Sequence, residues 1–435
     1  MHKKDAGKTT VNRIAARLHV GMVSMLHRPI RFATIICYAL AVIIVGIYII
    51  PPTDSSATIH FATNINRIML PIYAMAGLLL IVMAWGYPFR AHSAERALAR
   101  AGIVNAAGEA PMLLTVRRDS KNGKVYRYEF DANDLPLSYW KDKQAEIEAA
   151  LNINIAAIHS SRGKHRIWIN AVPAIDAIPD YIEFAMDKLP AKESEIALGE
   201  GLLGQVSLDI NKTPHVLIGG STGSGKTLLL KLILAQLIYK GAIVCIADFK
   251  GGVDYPARWA ESCDIITDVC GLEDHLKSLL AELEHRKRIL KSNGCSNIDE
   301  YNAAFPEEKL QRIIFACDEI AEILDKTGVD KEHKAQINQI ESYLSTIARQ
   351  GRAFGIHLIL ATQRPDANIL AGQIKNNIDC RICGRADQVL SQIILDTTRA
   401  ADEIEKDVQG RFINGTGALF QAYYFNEMDW RRSYD

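Results

Sequence analysis

Gly220-Ser221-Thr222-Gly223-Ser224-Gly225-Lys226-Thr227 is the stretch on which the reading of this chain turns. It satisfies G-x-x-x-x-G-K-[ST] in full. An apolar run, His215–Ile218, precedes it, and a helical pattern, Thr227–Tyr239, follows. Strand, loop and helix in that order give the string its meaning. The glycines let the backbone curl until successive N–H groups point at phosphate, and the helix N-terminus adds the positive end of its dipole. Gly220 through Gly225 are therefore expected to cradle ATP. Lys226 is expected to reach the β- and γ-phosphates, and the Thr227 hydroxyl to ligate Mg2+. A dinucleotide-binding fold is the chemical rival, but it needs a G-x-G-x-x-G that cannot be read here.

Outward from the loop, apolar strands and helical patterns alternate from Leu198 on. Ala242–Ala247, Arg312–Cys317 and His357–Ala361 read as strands, and Leu276–Leu290 and Ile337–Arg349 as helices. This is the pattern of an α/β fold, a parallel sheet covered by helices and apolar on both faces. Two aspartates end such strands and compete for the metal-organising role, Asp248 and Asp318. Asp318 is favoured because Glu319 follows at once, and a carboxylate there can polarise the attacking water of a hydrolysis. Asp248, in Asp248-Phe249-Lys250-Gly251-Gly252, either supports the site, contacts a neighbouring subunit or merely ends a strand in a turn. Gln363, at the end of Leu358-Ile359-Leu360-Ala361-Thr362-Gln363-Arg364-Pro365, is placed to sense the γ-phosphate or position water. The arginines of Arg349-Gln350-Gly351-Arg352 are either solvated helix ends or, in a ring of subunits, a reach toward a neighbour's nucleotide.

The charges of the whole chain cancel, with 50 Lys+Arg against 50 Asp+Glu. Together with a hydrophobic share of 49%, that excludes a disordered or collagen-like chain. It also looks unlike a nucleic-acid binder until it is split by segment. The first 31 residues hold seven Lys/Arg and one acid; through Tyr87 the tally is eight basic and two acidic, leaving 42 and 48 for the rest. Within the basic head, Phe32–Ile50 and Ile68–Trp85 carry no charge and are each just long enough to span a hydrocarbon core. The bases before the first span, and Arg90, Arg96 and Arg100 after the second, predict a multi-pass hairpin in the inner (cytoplasmic) membrane with both termini cytoplasmic. Trp85 and Tyr87 sit where interfacial anchors would. The eight cysteines are scattered, and the lone Cys380-Arg381-Ile382-Cys383 reads as core strand rather than a metal or redox pair.

Between hairpin and motor, Ala91–Ala101 reads as a short basic connecting helix. Strand-like runs follow at Met112–Arg118 and Lys124–Phe130 around Lys121-Asn122-Gly123. Tyr139–Leu151 then reads as a helix, and Ile155–His159 and His165–Asn170 as paired strands. The expected layout is a basic segment over 1–31, a transmembrane hairpin over 32–87 with spans 32–50 and 68–85, a small α+β module over 88–195 and an ATPase domain over 196–435.

Taken together, the phosphate loop, Phe315-Ala316-Cys317-Asp318-Glu319, the string Gly355–Pro365, Ile374-Lys375-Asn376-Asn377 and Ile394-Leu395-Asp396 resemble the FtsK/SpoIIIE family of RecA-like motor ATPases. Pro214-His215 and the strand pair near 155–170 extend the likeness. The resemblance implies a RecA-like P-loop motor domain in a homo-hexameric ring that threads DNA by hydrolysing ATP. By position, Arg352 resembles the arginine finger, and Arg364 and Lys375 the pore residues that touch the DNA backbone. A ring needs few such cations per subunit, since each is repeated around the pore. Leu390-Ser391-Gln392 departs from the family's Asp-Ser-Arg before Ile394-Leu395-Asp396. The chain ends at Asp435, shortly after the motor, with no room for a winged-helix domain. The compact layout resembles the membrane-anchored coupling ATPases of Gram-positive conjugative elements, which implies relaxase or transfer-channel partners. Asp248-Phe249-Lys250-Gly251-Gly252 also resembles type VII protein-secretion ATPases. An ATP-switched membrane scaffold is the third reading, and Glu319 beside Asp318 argues against it.

Overall fold

In the computed structural model, residues 14–15, 17–23, 25, 29–49, 57–88, 91–120, 122–363 and 372–427 are described. The chain divides into two compact units, Met1–Ala177 and Ile178–Asp435.

In the first unit, α1 (Pro29–Ile49) and α2 (Ala57–Trp85) are helices long and apolar enough to cross a membrane, over Ile30–Ile47 and Arg67–Trp85. They approach closely where glycine removes a side chain. The Tyr38 hydroxyl donates to Ala74 O at 3.0 Å, and a Cβ on Gly77 would sit 2.1 Å from that hydroxyl. Trp85 and Tyr87 carry arginines over their rings, Arg31 at 5.7 Å and Arg17 at 4.4 Å. Arg17, one charge of the basic head, is only 1% exposed. Its guanidinium donates to Gly86 O, Leu113 O and the Glu95 carboxylate.

The α+β module follows. Its antiparallel sheet, β1 (Leu113–Arg118), β2 (Tyr126–Asp131), β3 (Ile153–Ser160) and β4 (Arg166–Pro173), runs in the order β1-β2-β4-β3. Helix α3 (Ala91–Arg100) is more than a connector: Leu98 is fully buried with Phe130, Trp140 and Ile147 in the module's core. The helix expected over Tyr139–Leu151 is broken at Lys143 into Leu137–Asp142 and Gln144–Leu151. Lys121, in the expected turn, lies outside the described residues.

The second unit is built on a ten-stranded sheet, β5 (Glu195–Gly201), β6 (Gly204–Asp209), β7 (Val216–Gly219), β8 (Ile243–Ala247), β9 (Asp264–Ile266), β10 (Ile313–Cys317), β11 (Ile356–Thr362), β12 (Cys380–Cys383), β13 (Arg411–Asn414) and β14 (Leu419–Ala422). Its order is β6-β5-β14-β13-β12-β7-β11-β10-β8-β9. The strands from β12 to β9 in that order are mutually parallel, as the alternating pattern predicts. The remaining four extend the sheet antiparallel, which the pattern does not reveal. They turn back through glycine-containing hairpins, β13 and β14 with four residues each and β6 half-exposed at the sheet edge, so only β5 carries a buried run of four. A Cβ on Gly199 would lie 2.0 Å from Gln421 O, so glycine lets β5 lie against β14.

Alternation along the central strands fills both faces. Phe315, Cys317, Leu358 and Leu360 meet the helices Val269–Ser292 and Lys331–Gln350; Ile314, Ala316, Ile359 and Ala361 meet the helix Lys226–Tyr239. The two longer helices start before their apolar stripe because Asp268 and Asp330 cap them, accepting from Gly271 N and from Glu332 N and His333 N. The segment 178–194 joins this unit: Phe184 N donates to Tyr424 O at 2.9 Å and Tyr424 N to Ile182 O at 2.7 Å. Cys383 is buried in β12, where burial pushes its thiol up to about 12.

Candidate functional site

The strand order β7-β11-β10-β8 sets four C-terminal strand ends side by side, where α/β sheets bind ligands. β7 delivers the phosphate loop, β11 delivers Gln363, β10 delivers Asp318 and Glu319, and β8 delivers Asp248. The loop's curl depends on glycine at Gly223 and Gly225, whose φ values are +76° and +93°. A Cβ at Gly225 would also come within 3.1 Å of Gly410 N. The loop is braced from β12's side: Ser221 N donates to Arg385 O at 2.8 Å, and the Arg385 guanidinium donates to Thr222 O at 2.7 Å. Arg385 was not singled out from the sequence, because nothing local to Gly384-Arg385 announces a partner more than 160 residues away.

Within the cradle the expected residues converge. The Lys226 ammonium donates to Asp318 O and lies 3.3 Å from Asp318 Oδ1 and 4.0 Å from Glu319 Oε2. Thr227 Oγ1 donates to Asp318 Oδ1 at 3.0 Å. Glu319 is held at both oxygens, Oε1 by the Thr362 hydroxyl at 2.8 Å and Oε2 by Gln363 N at 2.9 Å. The Thr222 hydroxyl donates to Gln363 Oε1 at 2.8 Å, closing a continuous network from loop to strand ends. Lys226, Asp318 and Glu319 are all buried. Burial alone would push the Asp318 carboxyl up, but the charges of Lys226 and Lys250 outweigh it and hold the group below the usual carboxylate range.

Asp248 is buried too. Its Oδ1 accepts from Lys250 N at 3.0 Å, and its Oδ2 has no hydrogen-bond partner among the described residues. The Lys250 ammonium lies 3.1 Å from Asp318 Oδ2. The donor set suits a hard divalent cation, with a hydroxyl, a charged carboxylate and a second acid within reach. A loop curled through Gly223 and Gly225, an orphaned buried Ser224 Oγ and a lysine at its end suit a polyphosphate.

The remaining expected residues do not gather here. Arg352 lies on the turn Gly351–Phe354, ahead of β11 and so at the opposite edge of the sheet; it is exposed and donates from Nε to Asn211 O at 3.2 Å. Lys375, in the helix Gly372–Asn376, pairs with Asp396 Oδ1 at 2.9 Å. Arg364 lies outside the described residues. The departure Leu390-Ser391-Gln392 has a packing role: Ser391 is buried, donates to Thr397 O at 2.7 Å and accepts from Ala400 N at 3.1 Å. Pro214-His215 also acts structurally. His215 Nδ1 accepts from Leu358 N and His357 Nδ1 meets Pro214 O, each at 3.0 Å, tying β7 to β11.

The sequence profile of the FtsK/SpoIIIE family matches residues 187–367. The chain is 33% identical over 219 residues to DNA translocase FtsK of Campylobacter jejuni, covering 47% of this chain and 22% of that protein. It is 33% identical over 233 residues to DNA translocase SftA of Bacillus subtilis, covering 51% and 24%. The chain thus spans under a quarter of the length of these curated relatives. Among solved structures, the pCW3 conjugation coupling protein TcpA, in its monomer form with ATPγS, is 38% identical. That match covers 78% of this chain and 96% of TcpA, with a TM-score of 0.58.

Proposed function

The chain belongs to the FtsK/SpoIIIE family, and on that premise we propose that it is a membrane-anchored, ATP-driven DNA translocase that couples DNA to a conjugative transfer channel. The observation that carries the reading is the network joining Thr222, Gln363, Glu319, Lys226, Asp318 and Thr227 across the ends of three strands. A pure nucleotide binder has no need of Glu319 beside Asp318. The likeness to a conjugation coupling protein over nearly the whole chain of its solved structure supports the transfer role.

Bound Mg2+·ATP supplies the phosphoryl group and the cation that neutralises it. Thr227 Oγ1 and Asp318 would hold that cation, and Lys226, now on Asp318, would serve the β- and γ-phosphate oxygens. Glu319 orients a water and takes its proton at a carboxylate oxygen, while Gln363, bonded to the loop through Thr222, senses the γ-phosphate. The chain works as a homo-hexamer in which Arg352 reaches the neighbour's nucleotide, and Arg364 and Lys375 face the DNA. For Lys375 this requires exchanging Asp396 for a DNA phosphate. The segments 1–31 and 32–87 serve as basic head and inner-membrane hairpin with both ends cytoplasmic; the module expected over 88–195 ends at 177, because 178–194 packs with the motor, which runs over 178–435. Relaxase or channel proteins are the partners.

The test is phosphate release by the full chain in detergent, with and without DNA. DNA should stimulate hydrolysis, and Lys226→Ala should abolish it. Hydrolysis indifferent to DNA would overturn the translocase reading.

A further inference from the structure

Asp318 is approached from two sides. On the loop side, Thr227 Oγ1 and the Lys226 ammonium take Oδ1 at 3.0 and 3.3 Å. On the β8 side, the Lys250 ammonium takes Oδ2 at 3.1 Å. Lys226 has a second destination, the phosphates the loop is shaped to hold. Lys250 belongs to no phosphate-binding element.

Its position is nevertheless built. Asp248, buried at the end of β8, fixes the Lys250 backbone through Oδ1 at 3.0 Å, so the side chain starts from a defined point. Immediately after it, Gly251 and Gly252 adopt φ values of +80° and +75°. No atom lies within 4 Å of where a Cβ on Gly251 would be, and Val253 is exposed. Lys250 therefore sits between a fixed strand end and a pair of permissive residues bordered by open space. Asp254, at 3.4 Å, offers its ammonium a second carboxylate away from Asp318.

We propose that Lys250 is a positioning residue that competes with the divalent cation for Asp318 Oδ2 and yields it by shifting toward Asp254 as Mg2+ nucleotide seats. An ammonium 3.1 Å from Oδ2 and a divalent cation on the same carboxylate repel each other at close range, so each weakens the other's hold. Lys250 thereby sets the magnesium concentration at which the site loads and keeps the buried Asp318 charge paired throughout. This inference rests on the reading of Asp318 as the metal-organising residue.

The test titrates Mg2+ into the full chain in detergent with a fluorescent ATP analogue, and repeats nucleotide binding in EDTA. Lys250→Met and Lys250→Gln should lower the half-saturating Mg2+ concentration about tenfold, a coupling of the ordinary size, with nucleotide affinity in EDTA unchanged. Lys250→Arg should stay near the parent value. An unchanged Mg2+ midpoint in both neutral variants would overturn the proposal, as would loss of nucleotide affinity in EDTA, which would make Lys250 a phosphate contact. Asp318→Asn separates the two readings. If it keeps the Mg2+-dependent gain in affinity, the metal role of Asp318 fails. If it loses that gain while the Lys250 variants leave the midpoint unmoved, only the role of Lys250 fails.

Discussion

The parallel strands of the second unit have two edges, and they are organised differently. At the C-terminal edge, polar side chains from β7, β10 and β11 find one another, so that loop, acids and glutamine form one network around the buried Lys226, Asp318 and Glu319. At the N-terminal edge, His215 and His357 serve the backbone of the adjoining strands, and Arg352, on an exposed turn, donates to Asn211 O. The first edge is complete within one chain. On the proposed function, the second edge would act on another copy through Arg352.

That contrast makes its strongest forecast at Arg352. Arg352→Ala should lower DNA-stimulated hydrolysis by about 10³-fold, the scale of an arginine finger, while leaving nucleotide affinity of the dilute chain unchanged. Mixing it with Lys226→Ala chains should restore activity at shared interfaces, because each supplies what the other lacks. Failure of that rescue, with intact assembly, would place Arg352 outside the neighbour's site. Next in size, Glu319→Gln should slow phosphate release by about 10²-fold or more yet still bind the nucleotide, measured by fluorescence. Normal turnover would remove Glu319 from the base role.

The smallest effect separates the edges by pH. Burial pushes His215 down to about 4 and, with Arg312 and His215 adding repulsion, His357 to about 3. Histidines held neutral in the folded chain contribute stability that is full above about pH 6.5 and is lost as pH falls toward 4, worth about 3 kcal/mol for His215. Asp318, held below its ordinary value, contributes stability that is present above about pH 3.9 and is lost only on further acidification. Urea unfolding midpoints at pH 7 and pH 4.5 should therefore differ, and His215→Gln should shrink the difference. An equal loss in the variant would assign the acid sensitivity elsewhere.

What the sequence disclosed follows the same division. Residues whose position is fixed by the strand they end were legible: Lys226, Thr227, Asp318, Glu319 and Gln363 each follow an apolar run or sit in a loop of known curl, and they come together as placed. Relations set only by the fold were not. Lys250 was visible as part of a motif, but its pairing with Asp318 crosses two strands. Arg385 grips the loop from β12, and the antiparallel strands β13 and β14 are too short to announce themselves. Arg17 counted as one charge of a basic head, whereas chain folding buries it.

That buried arginine has a mechanical consequence. Its guanidinium fastens the end of α2 at Gly86, α3 at Glu95 and β1 at Leu113, so within the first unit the hairpin meets the α+β module through a pinned joint rather than a loose tether. A tether passes on tension alone; a joint pinned at several points also resists torque. If, as proposed, the chain works in a ring that draws a helical polymer, it would be twisted by its cargo, and a subunit held this way would have something to brace against.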